Sequence, residues 1–160
     1  MNTAYLLLGG NLGNRLQNLQ SALSLINSKA GVITKKSNVF VTKAWGNEQQ
    51  SDFYNQAICV ETKMIAIDLL NTLLKVEEQL GRKRTADKWQ ARTMDIDILF
   101  FNDTIIDSEE LKVPHPFIQE RKFVLIPMAE IASDFIHPVL KKSIKQLMDE
   151  CKDILEVKML

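Results

Sequence analysis

The sequence predicts an α+β protein built on a ferredoxin-like β-α-β-β-α-β sheet, with its helices on one face and an irregular C-terminal appendage. Apolar and β-branched runs typical of strands alternate with two stretches whose apolar residues have helical spacing. The strands are expected at Thr3–Leu8, Val32–Thr42, Asn55–Thr62 and Met94–Phe101, and the helices at Arg15–Ser28 and Met64–Leu80. This order is that of the split β-α-β motif. All four prolines follow residue 113, which indicates an irregular last third with short helices at Phe123–Ile131 and Ser143–Ile154.

Length and composition indicate an ordinary globular protein. We expect residues 1–160 to form a single domain with a sizeable core. The formal net charge is zero, which argues against an extended basic surface for nucleic acid. The apolar run Ala4–Leu8 is too short for a signal peptide or a membrane span. We expect a cytoplasmic monomer that binds neither nucleic acid nor membranes, with Cys59 and Cys151 reduced.

Two connections in the predicted fold carry unusual residues. Gly9–Gly13 lacks the dinucleotide-binding glycine pattern and any phosphate-binding lysine, so we expect a tight turn with Asn11 or Asn14 capping the first helix. The connection Lys43–Tyr54 is too long for a hairpin turn and contains several aromatic residues. Those aromatic rings either meet a planar ligand or fold back onto the core, and the sequence leaves both possibilities open.

An acidic pair follows a basic segment in the stretch from Arg82 to Phe101. Asp95 and Asp97 alternate with apolar residues in a predicted strand, so both carboxylates share one face with Cα atoms roughly 7 Å apart. Buried carboxylates need a compensating charge, which a divalent metal or a pair of metals would supply. The basic residues before them are Arg82, Lys83, Arg84, Lys88 and Arg92. Together they indicate a site for a metal-bound polyphosphate, although each pattern alone also fits a solvated turn or loop.

The predicted topology brings these features to one end of the sheet. The glycine turn, the aromatic connection, the basic segment and the entrance of the acidic strand all lie at the same edge. A histidine follows on the stiff segment Val113–Pro116, with Arg121 shortly after it, and both are candidate ligand residues.

The combined motifs resemble the 6-hydroxymethyl-7,8-dihydropterin pyrophosphokinase family. The pattern Arg92-x-x-Asp95-x-Asp97 carries the resemblance, with a further group of motifs around it. These are Gly9-x-Asn11-Leu12-Gly13, Phe53-x-Asn55, Gly81-Arg82-x-Arg84, Trp89, Val113-Pro114-His115-Pro116 and Arg121-x-Phe123. The similarity covers nearly the whole chain except about the last twenty residues.

The resemblance implies an enzyme that transfers the β,γ-diphosphate of ATP to the pterin hydroxymethyl group and releases AMP. By this analogy Asp95 and Asp97 hold two Mg²⁺ ions, and Arg82 and Arg92 act with them in catalysis. ATP would be bound by Arg84, Lys88, Ile98, Lys112, His115 and Arg121. The pterin would stack between Phe53 and Phe123 and would meet Thr42, Lys43, Trp45 and Asn55.

Several residues depart from the family pattern. Gln90 and Ala91 replace a small residue and a proline after Trp89, and Lys88 replaces an arginine, which loses bidentate geometry. Lys43 and Ala44 replace a proline-containing turn, and Gly10 replaces a serine. These changes bear on loop closure and rate more than on reaction type. Two other classes compete: a two-metal nucleotidyltransferase or cyclase, and a ferredoxin-like regulatory or RNA-binding module.

Overall fold

A computed structural model of the chain describes residues 1–43, 50–81 and 93–160. These residues form an α+β fold with an antiparallel main sheet, as the sequence predicts. The strands are β1 (Asn2–Gly10), β2 (Val32–Lys36), β3 (Phe40–Thr42), β4 (Phe53–Thr62), β5 (Asp95–Phe101), β6 (Ile106–Asp107), β7 (Lys112–Val113) and β8 (Val157–Met159). The helices are α1 (Arg15–Lys29), α2 (Ala66–Gln79), α3 (Lys122–Ala132) and α4 (Ile144–Glu150), with a 3-10 turn at Ile118–Glu120. None of the helices in the described ranges is long and apolar enough to cross a membrane.

The main sheet has the strand order β5-β1-β4-β3-β8, and β2 also pairs with β4. Each pairing is antiparallel. The single strand expected at Val32–Thr42 is therefore two strands, β2 and β3. The break falls at Ser37, whose N–H donates to Ala57 O at 2.8 Å while its Oγ accepts the Ala57 N–H at 3.0 Å. A side-chain oxygen thus replaces a backbone carbonyl and bends the strand path, which β-propensity alone does not reveal.

The helices α1 and α2 cover one face of the sheet. Apolar residues at helical spacing on both helices bury against alternate residues of the central strands. The buried strand residues of this cluster include Leu6, Leu8, Ile58, Val60, Ile96 and Ile98. Asn14 caps α1 by accepting the Gln17 N–H at 3.1 Å, which resolves the choice between Asn11 and Asn14.

The C-terminal third confirms the two helices expected at Phe123–Ile131 and Ser143–Ile154, but it corrects the placement of all helices on one face and the description of this third as an irregular appendage. α3 and α4 pack on the face opposite α1 and α2, over a second cluster that includes Leu7, Ala57 and Phe100. β8, which the sequence analysis did not predict, extends the sheet beside β3. The central strands are apolar on both faces and therefore need a helical layer on each. This also removes the open sheet face that an RNA-binding module would use.

Candidate active site

The acidic pair lies at the entrance of β5, on the face covered by α3 and α4. Asp95 pairs with Gly9 and Asp97 with Leu7 across the neighbouring strand β1. Leu7 belongs to the cluster under α3 and α4, whereas Ile96 packs under α1 and α2. Because directly opposite residues of an antiparallel pair share a face, both half-buried carboxylates point to the α3 side. The structure confirms their predicted common face.

The glycine turn, the end of β3 and the start of β4 meet at this same edge. Gly10 pairs with Tyr54, and Thr42 at the end of β3 pairs with Phe53. Asn55 is buried, and its Nδ2 donates to Thr42 Oγ1 at 3.0 Å. A Cβ atom on the neighbouring Gly9 would collide with Asn55 Oδ1, so this backbone approach requires glycine. The Asn55 amide is thereby fixed between β1 and β3.

One polar side chain within the glycine turn and one just after it hold the residues that lead into β4. Asn11 Nδ2 donates to the backbone oxygen of Ser51 at 3.1 Å. Arg15 donates through Nη1 to Asp52 O at 2.8 Å, and its Cζ lies 4.0 Å from the centroid of the Tyr54 ring. Arg15 therefore contacts both chain neighbours of Phe53 and fixes the backbone that carries this aromatic ring.

His115 lies against the outer edge of β5 and close to two charged groups of the site. Its backbone N–H donates to Leu99 O at 3.0 Å, and its ring atom Nδ1 accepts the backbone N–H of Phe117 at 3.3 Å. Burial and then the positive charge of Arg121 lower its pKa from 6.5 to about 4, and the negative charge of Asp95 only partly opposes this. The ring is therefore neutral at pH 7. Because Nδ1 accepts a hydrogen bond, the ring proton is on Nε2, which can donate to a ligand.

The lowered pKa of His115 predicts a pH-dependent stability. An unfolded His115 takes up a proton near pH 6.5, whereas the folded protein does not do so until about pH 4. The free energy of unfolding contributed by this residue is therefore fully present above pH 6.5 and is lost as the pH falls towards 4. Urea unfolding at pH 7 and pH 5 should show a larger loss for the wild type than for His115→Asn. Equal losses, or a His115 titration near 6.5 by NMR, would contradict this assignment.

Arg121 lies between two aromatic rings at the start of α3. Its Cζ is 4.9 Å from the Phe117 ring centroid and 5.7 Å from the Phe123 ring centroid. Contacts of this kind orient a guanidinium group while its donors stay available. Phe123 is half-buried against the cluster under α3 and α4. The sequence analysis did not single out Phe117, which is 46% exposed and is the aromatic neighbour of both His115 and Arg121.

The remaining predicted residues fall into two groups. Ile98 is buried in β5, and Lys112 lies on β7, which contacts β5; the Lys112 ammonium pairs with Asp107 at 2.6 Å. Lys43 is exposed at the end of a described range. The other predictions fall outside the described residues and stay predictions from the sequence. They are Trp45, Arg82, Arg84, Lys88 and Arg92, together with the departures at Ala44, Gln90 and Ala91.

Glu77 is a site neighbour that the sequence analysis missed. It is 2% exposed on α2, and its Oε2 accepts the N–H of Ile96, the residue between the two aspartates, at 2.7 Å. Its position continues the i, i+4 row of Leu69 and Leu73 on the buried face of the helix. A carboxylate in that row was the available signal, because a charged residue is almost never fully buried without a partner.

The acidic pair fits a hard divalent cation. Carboxylate oxygens are the ligands that Mg²⁺ prefers, and Mg²⁺ usually keeps several waters or substrate oxygens in its coordination sphere. In the part of the chain that the structure describes, no group of three or more histidine, cysteine or acidic side chains could hold a metal ion. Asp95 and Asp97 would supply two carboxylates, and a polyphosphate or water could complete the coordination, which is a chemically consistent donor set.

Comparison with known proteins shows which family the sequence is similar to. Residues 5–133 match the family model of 7,8-dihydro-6-hydroxymethylpterin-pyrophosphokinase. The 2-amino-4-hydroxy-6-hydroxymethyldihydropteridine pyrophosphokinase of Aquifex aeolicus is 39% identical over 94% of this chain and 92% of its own length. The Bacillus subtilis protein of the same name is 43% identical over 81% of this chain and 78% of its own length.

Solved structures show the same fold. A Plasmodium falciparum HPPK-DHPS crystal structure with pteroate has a TM-score of 0.76 over 93% of this chain, at 19% identity. This chain spans 44% of that longer protein, so the likeness concerns one part of it and the fold alone.

The matched family and the curated relatives define one class of enzyme, the pyrophosphokinases, which transfer a diphosphate group. The chain is an enzyme of this class and acts in folate biosynthesis. It belongs to the 7,8-dihydro-6-hydroxymethylpterin-pyrophosphokinase family.

Proposed function

We propose that this site transfers the β,γ-diphosphate of ATP to the hydroxymethyl group of 6-hydroxymethyl-7,8-dihydropterin, with release of AMP. The observation that carries the proposal is that Asp95 and Asp97 share one face of the sheet, with His115 and Arg121 beside them. Acidic ligands for a metal lie next to cationic and neutral donors for phosphate, which is the combination that phosphoryl-type transfer requires.

Asp95 and Asp97 are the proposed ligands of two Mg²⁺ ions. Their carboxylates are half-buried at a strand entrance, where ligand and solvent can complete a coordination sphere. When bound, Mg²⁺ would neutralise phosphate charge and polarise the oxygens that react. The protein contributes the fixed spacing of the two carboxylates, because a strand backbone paired with β1 holds both of them.

The triphosphate of ATP is proposed to lie along His115 and Arg121. His115 offers a neutral Nε2–H donor, while Arg121 offers a planar fork of donors oriented by aromatic rings. From the sequence, Arg82, Arg84, Lys88 and Arg92 would complete the cationic surroundings, with Ile98 and Lys112 near the adenine. Catalysis then depends on positioning and charge neutralisation rather than on a general base.

The pterin is proposed to stack between Phe53 and Phe123, with its polar edge read by Asn55. Asn55 suits this role because its amide is buried and held by Thr42. A site whose buried amide must pair with the ligand discriminates strongly against analogues that lack the matching group. Lys43 and Trp45, beside Thr42 in the chain, are the other proposed contacts.

We infer that the main sheet has the ferredoxin-like arrangement, supported by the antiparallel order β5-β1-β4 followed by β2 and β3. We also infer a single domain over residues 1–160 that works as a monomer in the cytoplasm. Sedimentation at several protein concentrations tests the monomer, since a concentration-dependent mass would contradict it.

The reaction is tested by mixing the protein with ATP, Mg²⁺ and 6-hydroxymethyl-7,8-dihydropterin and resolving the nucleotide products. We expect AMP to form in step with a diphosphorylated pterin, and only when all three components are present. Release of inorganic diphosphate from ATP, without a diphosphorylated pterin, would favour the nucleotidyltransferase class. No pterin-dependent AMP from a folded protein that binds ATP would contradict the proposed reaction.

A further inference from the structure

The outer edge of the acidic strand β5 is held by side chain and backbone rather than by another strand. Among the residues that the structure describes, β5 is at the end of the sheet order and pairs with β1 along one of its two edges. On the other side, Glu77 Oε2 accepts the Ile96 N–H at 2.7 Å, and the Leu99 carbonyl accepts the His115 N–H at 3.0 Å. These two contacts lie on either side of Asp97 along the strand and, together with its pairing to Leu7, restrain the backbone that carries its carboxylate.

Glu77 occupies a position where stability alone favours an apolar residue. It is 2% exposed and follows Leu69 and Leu73 on the buried row of α2. It also lies in the last helical turn, where the helix dipole disfavours negative charge. A leucine there would extend the apolar row without a desolvation cost. The buried carboxylate is stabilised in part by the hydrogen bond that it accepts from the Ile96 amide.

We propose that Glu77 is a positioning residue for the metal-binding aspartates. Its hydrogen bond to the Ile96 amide fixes the backbone between Asp95 and Asp97, and so fixes the separation and direction of their carboxylates. Glu77 also lies near the end of α2, just before the segment that carries Arg82, Arg84 and Arg92 in the sequence. Partners that orient metal ligands typically change metal affinity or activity by about 10- to 100-fold when removed. This inference rests on the proposed function of the site.

Two conservative variants separate the hydrogen bond from the charge. Glu77→Gln keeps a side-chain oxygen at the same reach without the charge, whereas Glu77→Asp keeps the charge but is one methylene shorter. The measurement is the Mg²⁺-linked gain in ATP affinity, taken as the ratio of ATP dissociation constants in EDTA and in Mg²⁺, by calorimetry without pterin. No turnover is needed, so this readout is independent of the transfer reaction.

We expect Glu77→Gln to stay within about threefold of the wild-type gain, and Glu77→Asp to lose about tenfold. Hydrogen exchange of the Ile96 amide should stay slow in the Gln variant and become faster in the Asp variant. The matched control is Thr62→Val at the far end of β4, which removes the buried hydrogen bond that Thr62 Oγ1 donates to Ala30 O and the one that it accepts from the Met64 N–H, and which should leave the gain unchanged.

Three results would overturn the inference. The first is an unchanged gain in Glu77→Asp despite fast Ile96 exchange, since Glu77 would then be structural only. The second is a loss in Glu77→Gln equal to or larger than that in Glu77→Asp, which would assign the effect to charge. The third is an equal loss in Thr62→Val, which would assign it to general destabilisation. Failure of the proposed pterin reaction would be seen separately, as the absence of pterin-dependent AMP in the wild type.

Discussion

Asp97→Asn is expected to lower diphosphate transfer by roughly a thousandfold while the protein stays folded. The asparagine keeps the shape of the side chain but removes the charge that makes the residue a metal ligand. Losing about 4 kcal/mol of charge stabilisation corresponds to this factor. Steady-state AMP formation over a range of Mg²⁺ concentrations measures it, and excess Mg²⁺ should restore little of the activity.

The matched control for Asp97→Asn is Asp149→Asn on α4. Asp149 is exposed and forms a pair with Lys145 at 2.9 Å, so its loss should change stability by at most about 1 kcal/mol and activity not at all. Full activity of a verified Asp97→Asn protein would remove the metal assignment. A loss in both variants would indicate that general charge, and not the position at β5, is responsible.

Gly9→Ala is expected to lower kcat/KM by about 100-fold and to cost about 1 kcal/mol of unfolding free energy, the net value of one hydrogen bond. The added methyl group would collide with Asn55 Oδ1, and this side-chain amide can rotate away only by leaving Thr42 Oγ1. A displacement of about 1 Å in a substrate-positioning group can cost this factor. Because Gly9 also pairs with Asp95, the expected loss includes both pterin binding and turnover. Pterin affinity and turnover, measured separately, show how the loss divides.

Gly31→Ala provides the contrast, because its added methyl group would meet the backbone oxygen of Glu61 and not a movable side chain. We expect this variant to lose more than about 2 kcal/mol of unfolding free energy and to keep normal kcat/KM in the folded fraction. Thermal unfolding with parallel kinetics tests both variants. Normal kcat/KM in Gly9→Ala would show that Asn55 tolerates displacement and does not position the pterin.

The acidic pair could be located from the sequence because its signal is local. A strand places alternate residues on one face, so Asp95 and Asp97 had to lie together wherever β5 lay in the fold. The antiparallel order of the neighbouring elements then brought Gly9 and Phe53 to the same edge. No long-range information was needed for these placements beyond the order of the elements.

The C-terminal third could be predicted only in part, because its two helices were expected from the sequence but their place on the second face of the sheet was not. Pro127 lies inside α3, within the helix that was expected at Phe123–Ile131, and it is buried there, so packing on the sheet outweighs the lost helical hydrogen bond. The three-residue strand β8 depends on pairing with β3, which is distant in the sequence. Glu77 was missed for a similar reason, since its partner Ile96 lies on another element.

The alternation of charged and apolar residues along β5 has a consequence for how the chain folds. A shift of one residue in its pairing with β1 would turn Asp95 and Asp97 into the core under α1 and α2, and would turn Ile96 and Ile98 out of it. Burying two carboxylates costs far more than any gain from a mispaired ladder. The two aspartates proposed for metal binding therefore also disfavour a shifted pairing of β5 with β1 during folding, before any ligand is present.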